Sequence, residues 1–229
     1  GIQTQYHDSM TITGNVITSN TPAGGYSGIY MYWSQRAPVL TKNKIIYTST
    51  SGIVLLVSTE FNCLSSMNKS NPLRGLIANN MIQVSGTTST AYGLYMVNSS
   101  NYVDIMHNTI SMNNTANGGS YALYLGNGLS NLNVKNNIFQ NTGNGTATGS
   151  GYAAFLYNGS TIVYTNNDFF TRHTNFGYYN GGLYSTYATW KAAATVGIPS
   201  FEIGGLNKEV TFVSPTDIGI RPHLLYRRC

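Results

Sequence analysis

One six-position phrase recurs through most of the chain and constrains its fold more than any other feature. The phrase is an apolar residue, two variable residues, an asparagine, one variable residue and a second apolar residue. Its asparagines are Asn15, Asn43, Asn80, Asn108, Asn137 and Asn167, which are 28, 37, 28, 29 and 30 residues apart. Repeats of this length indicate a chain built from stacked units that bury a common core.

A second phrase precedes the asparagine in several units. It is a small residue followed by an apolar, an aromatic and an apolar residue, as in Gly93–Met96, which begins 15 residues before Asn108. The alternation of apolar residues has the period of a β-strand, and glycine, asparagine and serine separate the segments. Units made only of short strands predict a solenoid whose successive coils pair in parallel, about 4.8 Å apart.

Equivalent side chains of successive coils should then stack in columns. The repeated asparagines would form a ladder of side-chain amides that hydrogen-bond along the solenoid axis. The apolar residue two positions later would form a column of the core, containing Ile82, Ile110, Phe139 and Phe169.

The step from Asn43 to Asn80 is longer than the others, which predicts an insertion near residues 58–72. Loops that leave a regular scaffold often carry function, so this segment is either a plain surface loop or one wall of a groove. Cys63 lies in the insertion and Cys229 ends the sequence. Two cysteines define neither a disulfide framework nor a metal site. They either form a bridge in an oxidising compartment or, more simply, are two unpaired thiols.

The six asparagine phrases resemble the repeat of the right-handed parallel β-helix in the pectate-lyase-like superfamily. The resemblance implies an all-β chain in which residues 1–175 form about six coils. It does not define an activity, because lyases, hydrolases, epimerases, phage tailspikes and adhesins share that fold.

The pattern changes after Asn175, and residues 176–229 are predicted to cap the last coil. A short helix is expected from Ser185 to Ala194, with Trp190 on its buried side and Gly197 as its stop. Such a cap keeps the open edge of a solenoid from pairing with other chains. The segment also resembles the closing part of secreted bacterial β-helix proteins, which implies a bacterial protein that is secreted or lies at the cell surface.

Composition argues against several classes of partner. Only 8% of the residues are charged, and the basic residues behind the net charge of +5 are scattered, whereas a nucleic-acid interface needs them clustered. No apolar run is long enough to span a membrane. Because the repeat is in phase from the first residues, we expect a fragment of a longer secreted protein. Neighbouring domains, or further copies of the chain joined end to end, are the partners expected at the first coil.

Aromatic residues provide the main functional signal. If the apolar residues of the second phrase point inward, the aromatic residue between them points outward. One outward column would contain Tyr30, Tyr95, Tyr124 and Phe155, and a second would contain Tyr92, Tyr121 and Tyr152. Exposed rings stack well on sugars and on other proteins, so these residues are the predicted ligand-binding residues. The alternative is that the rings stack only on one another and stabilise the sheet.

Catalysis is the less favoured interpretation. Glycoside hydrolysis needs two carboxyl groups roughly 5 to 10 Å apart, and the repeat register separates Asp104 from Asp168 by two coils and part of a turn. Lyase chemistry would need several carboxylates on one face to bind calcium, and no such cluster occurs, so no metal or other cofactor is expected. The catalytic candidates are Asp168, Arg172 and His173 near the last phrase and Glu60 in the insertion, each more simply explained as a surface group.

The favoured function is a non-catalytic secreted or cell-surface module of the adhesin or stalk type. It would bind a polysaccharide, a cell-surface glycan or another surface through its aromatic columns. The alternatives are a polysaccharide lyase or glycoside hydrolase, and a structural repeat that assembles end to end into fibres.

Overall fold

The repeats fold as a parallel β-solenoid, as the sequence predicted. A computed structural model describes residues 1–20, 26–34, 36–49, 53–61, 73–86, 90–97, 100–114, 119–143, 151–157 and 161–212. Side chains are described throughout these ranges except at residues 26, 49, 53–61 and 114. Residues 58–61 of the predicted insertion belong to the strand Ile53–Phe61. The rest of the predicted insertion, which includes Cys63, lies outside the described residues, and so does Cys229.

Three sheets run along the solenoid, and each coil adds one strand to each sheet. The first sheet contains Ile2–Gln5, Tyr26–Ser34, Ile53–Phe61, Thr90–Met96, Ser120–Leu125, Gly151–Leu156, Gly177–Tyr179 and Gly182–Tyr184. The second contains Thr11–Thr13, Val39–Thr41, Gly75–Ala78, Val103–Met106, Asn133–Lys135 and Val163–Thr165. The third contains Val16–Ser19, Lys44–Ser49, Met81–Gly86, Thr109–Asn114, Ile138–Asn141 and Asp168–Thr171.

The expected number of coils, about six, is slightly too high. The solenoid makes about four turns. The second and third sheets contain six strands each when the strands at both ends are counted. Strand pairing is parallel throughout these two sheets. In the first sheet, only the pairing of Gly177–Tyr179 with Gly182–Tyr184 is antiparallel among the described strands.

Residues one repeat apart are direct neighbours in adjacent strands. Ile110 pairs with Phe139, and Phe139 pairs with Phe169, whose rings stack with centroids 5.1 Å apart. The long step causes no loss of register, because Ile45 still pairs with Ile82. The predicted core column is therefore confirmed, and its residues belong to the third sheet.

The repeated asparagines form the predicted ladder, called here the asparagine ladder (Asn15, Asn43, Asn80, Asn108, Asn137 and Asn167). At each of the five steps, Nδ2 donates to Oδ1 of the next asparagine at 2.9–3.0 Å. The backbone N–H donates to the same oxygen at 2.9–3.1 Å. From Asn43 onward, Nδ2 also donates to a backbone carbonyl of the preceding coil at 2.8–3.0 Å. The interior amides thus use both hydrogens and accept two, which satisfies polar groups that are buried.

A left-handed residue directly before each ladder asparagine turns that side chain into the solenoid. These residues are Gly14, Lys42, Asn79, His107, Asn136 and Asn166, with φ between 55° and 70°. Glycine and asparagine tolerate this conformation best, and they fill four of the six positions. The small residue of the second phrase also has a steric cause, because a β-carbon at Gly93 would overlap the side chain of Ile110.

The predicted helix is present, from Tyr187 to Gly197, and so starts and ends slightly later than expected. Thr186 caps it, because its hydroxyl accepts the N–H of Thr189 at 3.2 Å. Trp190 is fully buried. Four other rings lie near it, with centroids 5.1 Å away for Phe169, 5.5 Å for Phe176, 6.3 Å for Tyr187 and 4.9 Å for Phe201. The helix therefore covers the end of the core column.

The asparagine ladder ends on a carboxyl group. The N–H of Asn167 donates to Oε2 of Glu202 at 3.2 Å, and its Nδ2 donates to Oε1. Asp168 bridges to Leu206, so Gly205 is level with Asn167, where the next ladder asparagine would stand. A β-carbon at Gly205 would collide with Oε2 of Glu202. The glutamate thus fills the volume that an asparagine side chain would occupy.

Candidate functional site

The predicted aromatic columns lie side by side on the first sheet. Strand pairing places Tyr95 beside Tyr124, Tyr124 beside Phe155, and Phe155 beside Tyr178. The second column is in register in the same way. We call the seven residues the aromatic ladder: Tyr95, Tyr124, Phe155 and Tyr178 in one column, and Tyr92, Tyr121 and Tyr152 in the other.

Rings within a column stack face to face. Centroids are 4.9 Å apart for Tyr95–Tyr124 and Tyr124–Phe155 and 4.0 Å apart for Phe155–Tyr178. In the second column they are 4.9 Å apart for Tyr92–Tyr121 and 5.2 Å apart for Tyr121–Tyr152. Neighbouring rings therefore cover the faces of the inner rings.

Rings of different columns meet edge to face. The planes of Tyr92 and Tyr124 are inclined at 89°, and so are those of Tyr121 and Phe155. Tyr152 is buried and the other ladder rings are half-buried. Stacked and perpendicular aromatic pairs each stabilise a protein by about 0.5–1.5 kcal/mol beyond the area they bury. The ladder therefore stabilises the sheet, and it presents ring edges outward.

Three phenol groups of the aromatic ladder, those of Tyr92, Tyr121 and Tyr124, stay neutral. Burial, reinforced by the neighbouring Tyr92, Tyr152 and Tyr157 phenols, raises the pKa of Tyr121 to about 12. Burial and neighbouring phenols also raise the pKa of Tyr92 and of Tyr124. A neutral phenol both donates and accepts hydrogen bonds, so the ladder supplies polar contacts without charge.

Tyr30 is in register with the first column but is separated from it by one coil. It pairs with Ser58, which pairs on its other side with Tyr95. The side chain of Ser58 lies outside the described residues. The ring of Tyr30 is parallel to that of Tyr32, with centroids 6.3 Å apart.

The carboxyl groups of Asp104 and Asp168 have separate partners. Asp104 lies in the second sheet, where Oδ1 accepts from Nε of Arg74 at 2.7 Å and from Nδ2 of Asn133 at 2.6 Å. Asp168 begins the last strand of the third sheet, and Oδ1 accepts the N–H of Lys208 at 2.9 Å. The two acids lie in different sheets, so the structure does not bring them together as a catalytic pair.

The three catalytic candidates whose side chains are described, Asp168, Arg172 and His173, also have separate partners. Burial raises the pKa of Asp168 against the opposing effect of its bond to Lys208. Arg172 forms an ion pair with Glu209. Nε2 of His173 lies 3.2 Å from Oδ1 of Asn141, and burial lowers the pKa of that imidazole. Glu60 belongs to the strand Ile53–Phe61, but its side chain lies outside the described residues.

Two features of the site were missed from the sequence. Tyr178 extends the first aromatic column, but no asparagine phrase follows it to reveal its register. Glu202 ends the asparagine ladder, but it lies three residues before Gly205, the residue level with Asn167. No periodic pattern could therefore locate it. Only Gly205 marks the space that its carboxyl group enters.

Within the described ranges, no group of three metal-ligating side chains comes together. In the same ranges, no helix has the length and apolar character needed to cross a membrane.

Comparisons of the chain with protein-family models, curated proteins and solved structures found no match. The assignment as a parallel β-solenoid is therefore based on the repeat and on the structure, and the likeness to the pectate-lyase-like superfamily remains a resemblance.

Proposed function

We propose that this chain is a non-catalytic secreted or cell-surface module of the adhesin or stalk type, which contacts glycan or another extended surface through the aromatic ladder. One observation carries the proposal: seven aromatic side chains on four neighbouring strands form a continuous face of one sheet. The described acidic residues favour no hydrolase or lyase, because each has its own structural partner.

The stacking defines the kind of contact this face can make. Ring faces inside the columns are covered, so a ligand meets ring edges and neutral phenol hydroxyls. Hydroxyl groups of a sugar can donate to and accept from those phenols. Because each ring is held by its neighbours, little side-chain freedom is lost on binding, which favours affinity.

The scarcity of charge has a measurable consequence. Surface charge attraction weakens as salt is added, but hydrogen bonds and apolar contacts to uncharged rings depend little on salt. We expect binding at the aromatic ladder to persist between about 0.05 and 0.5 M sodium chloride.

A glycan array tests the proposal with three proteins. The wild type should bind a subset of neutral or acidic glycans, and the double variant Tyr95→Ala, Tyr124→Ala should lose that binding. The control is Thr13→Ala, Thr41→Ala, which removes two hydrogen-bonded side chains from adjacent coils of the second sheet. Thermal unfolding must show that all three proteins are folded. A blank array, or equal binding by both double variants, would refute the proposal.

End-to-end assembly is a second candidate, favoured by one observation. Ile2–Gln5, Thr11–Thr13 and Val16–Ser19 each pair on one side only among the described strands, and open strand edges can recruit further strands. Light scattering and electron microscopy at rising protein concentration test this candidate. Fibres would support it, and a monomer at millimolar concentration would exclude it.

A further inference from the structure

We propose that the first two coils carry a saccharide-binding site, at the corner where their strands of the first sheet end. This corner site comprises Tyr6, Tyr32 and Trp33, with Asp8 and Arg36 beyond them. It is separate from the aromatic ladder and does not depend on the function proposed for that ladder.

The corner site exposes its rings far more than the aromatic ladder does. Tyr6 is 70% exposed and Trp33 is 44% exposed. They lie on adjacent coils, because Gln5 pairs with Tyr32 and the N–H of Tyr6 donates to the carbonyl of Tyr32 at 3.0 Å. Two large aromatic residues thus stand together in solvent.

The rings of Tyr6, Tyr32 and Trp33 contact one another without stacking face to face. The centroids of Tyr6 and Trp33 are 6.1 Å apart, and their planes are inclined at 37°. Tyr32 is half-buried and lies edge-on to both, 5.9 Å from Tyr6 at 81° and 6.0 Å from Trp33 at 64°. Tilted rings of this kind leave face area to stack on the apolar face of a sugar.

The backbone at this corner is strained. Tyr6 has φ of 56° and Trp33 has φ of 53°, a conformation that bulky residues rarely adopt and that glycine adopts freely. The strand Tyr26–Ser34 also shifts register between Met31 and Ser34, and such bulges re-aim side chains near functional sites. Folding alone would favour glycine at these two positions, so the aromatic residues point to a role outside folding.

Polar groups lie just beyond the rings along both coils. Nε of Arg36 is 3.6 Å from Oδ2 of Asp8, and both side chains are about half exposed. The hydroxyl of Ser9 donates to the carbonyl of Arg36 at 2.9 Å and ties the two coils together. A carboxylate and a guanidinium side by side can accept from and donate to neighbouring sugar hydroxyls. Exposed aromatic rings can also attract a cationic ligand, so the test includes one.

Tryptophan fluorescence can measure ligand binding at this site, because Trp33 belongs to it. The chain has two tryptophans, and Trp190 is fully buried whereas Trp33 is exposed. Iodide should therefore quench Trp33 and spare Trp190. The probes are hexasaccharides of β-glucose, N-acetylglucosamine, galactose, mannose and galacturonic acid, with choline as the cationic comparison. We expect at least one hexasaccharide to change the emission saturably and to protect Trp33 from iodide.

Three variants locate the binding. Tyr6→Asn removes a ring but keeps a residue that tolerates positive φ, so affinity should fall by about tenfold or more while the midpoint of thermal unfolding stays equal or rises. Arg36→Gly removes the guanidinium at a position whose φ is 52°, and it should also weaken binding. Glu209→Gln changes a surface group that pairs with Arg172 and belongs to neither proposed site, so it should leave the affinity at the corner site unchanged.

The proposal is overturned if no hexasaccharide gives a saturable signal, or if choline alone does. It is also overturned if Tyr6→Asn and Arg36→Gly both bind as the wild type does. If Tyr6→Asn fails to fold, Arg36→Gly decides the question. Loss of array binding by the Tyr95, Tyr124 double variant, with fluorescence binding intact, would separate the two proposed sites.

Discussion

The carboxyl group that ends the asparagine ladder should make this protein less stable as pH rises toward neutrality. Glu202 is fully buried, and that burial raises its pKa from 4.5 to about 7, although hydrogen bonds from Asn167 and the charge of Lys191 act in the opposite direction. The folded protein therefore retains a proton that the unfolded chain releases near pH 4.5.

The sign and size follow from proton linkage. Between pH 4.5 and about 7 the folded state binds more protons than the unfolded state, so the free energy of unfolding falls as pH rises. The stabilisation is complete below pH 4.5 and is lost as pH passes through about 7. At about 1.4 kcal/mol per pH unit, this one group contributes at most about 3 kcal/mol.

Urea unfolding at a series of pH values from about 4 to 8 tests this. Glu202→Gln, which keeps an acceptor oxygen for Asn167 and cannot titrate, should lack the decrease. Glu209→Gln is the control, because this glutamate pairs with Arg172 at the surface. His173 acts in the opposite direction, since its lowered pKa makes stability fall at low pH. The difference between wild type and Glu202→Gln isolates Glu202, and equal pH profiles for these two proteins would refute the reasoning.

Four other substitutions test the fold and the aromatic ladder. Asn108→Ala leaves the N–H groups of Asn80 without their acceptor, so it should lower the free energy of unfolding in urea by about 3–5 kcal/mol. Its control is Asn136→Gly, at an exposed turn, which should change that free energy by less than about 1 kcal/mol. Trp190→Ala should lower the free energy of unfolding by about 3–5 kcal/mol because the ring is fully buried, and an unchanged value would contradict its role in closing the core. Tyr121→Phe should remove one phenol that titrates near pH 12 in an ultraviolet absorbance titration, and wild-type ionisation complete near pH 10 would contradict the burial of that phenol.

The register of the coils could be predicted because two phrases repeat at a nearly constant spacing. Each asparagine must find its neighbours one coil away, and a shift of one residue would expose the apolar set. Pairs such as Ile110 with Phe139 and Tyr95 with Tyr124 follow directly from this spacing. The longer step between Asn43 and Asn80 left the register unchanged, because Ile45 still pairs with Ile82.

Other features depend on contacts that no spacing encodes. Glu202 reaches the asparagine ladder from outside the repeat, and its role is visible only once Gly205 is seen to leave room for it. The left-handed backbone at Trp33 has no sequence signal, since tryptophan is a residue that normally avoids it. Stacking within the aromatic ladder followed from register, but the covering of ring faces needed the measured centroid distances.

The asparagine ladder has a direction, and this direction limits how copies of the chain can join. From Asn43 to Asn167 every side-chain oxygen accepts from the coil before it. The backbone N–H and one Nδ2 hydrogen of every ladder asparagine point toward the last coil, where those of Asn167 are donated to Glu202. A symmetric contact between two first coils would join two ladders that run in opposite directions, so the donor-to-acceptor order could not continue from one chain to the next. A polar contact between first and last coils would find the final hydrogens already donated to Glu202. Any fibre of this protein must therefore join through its strand edges, while the line of amides stops at each chain.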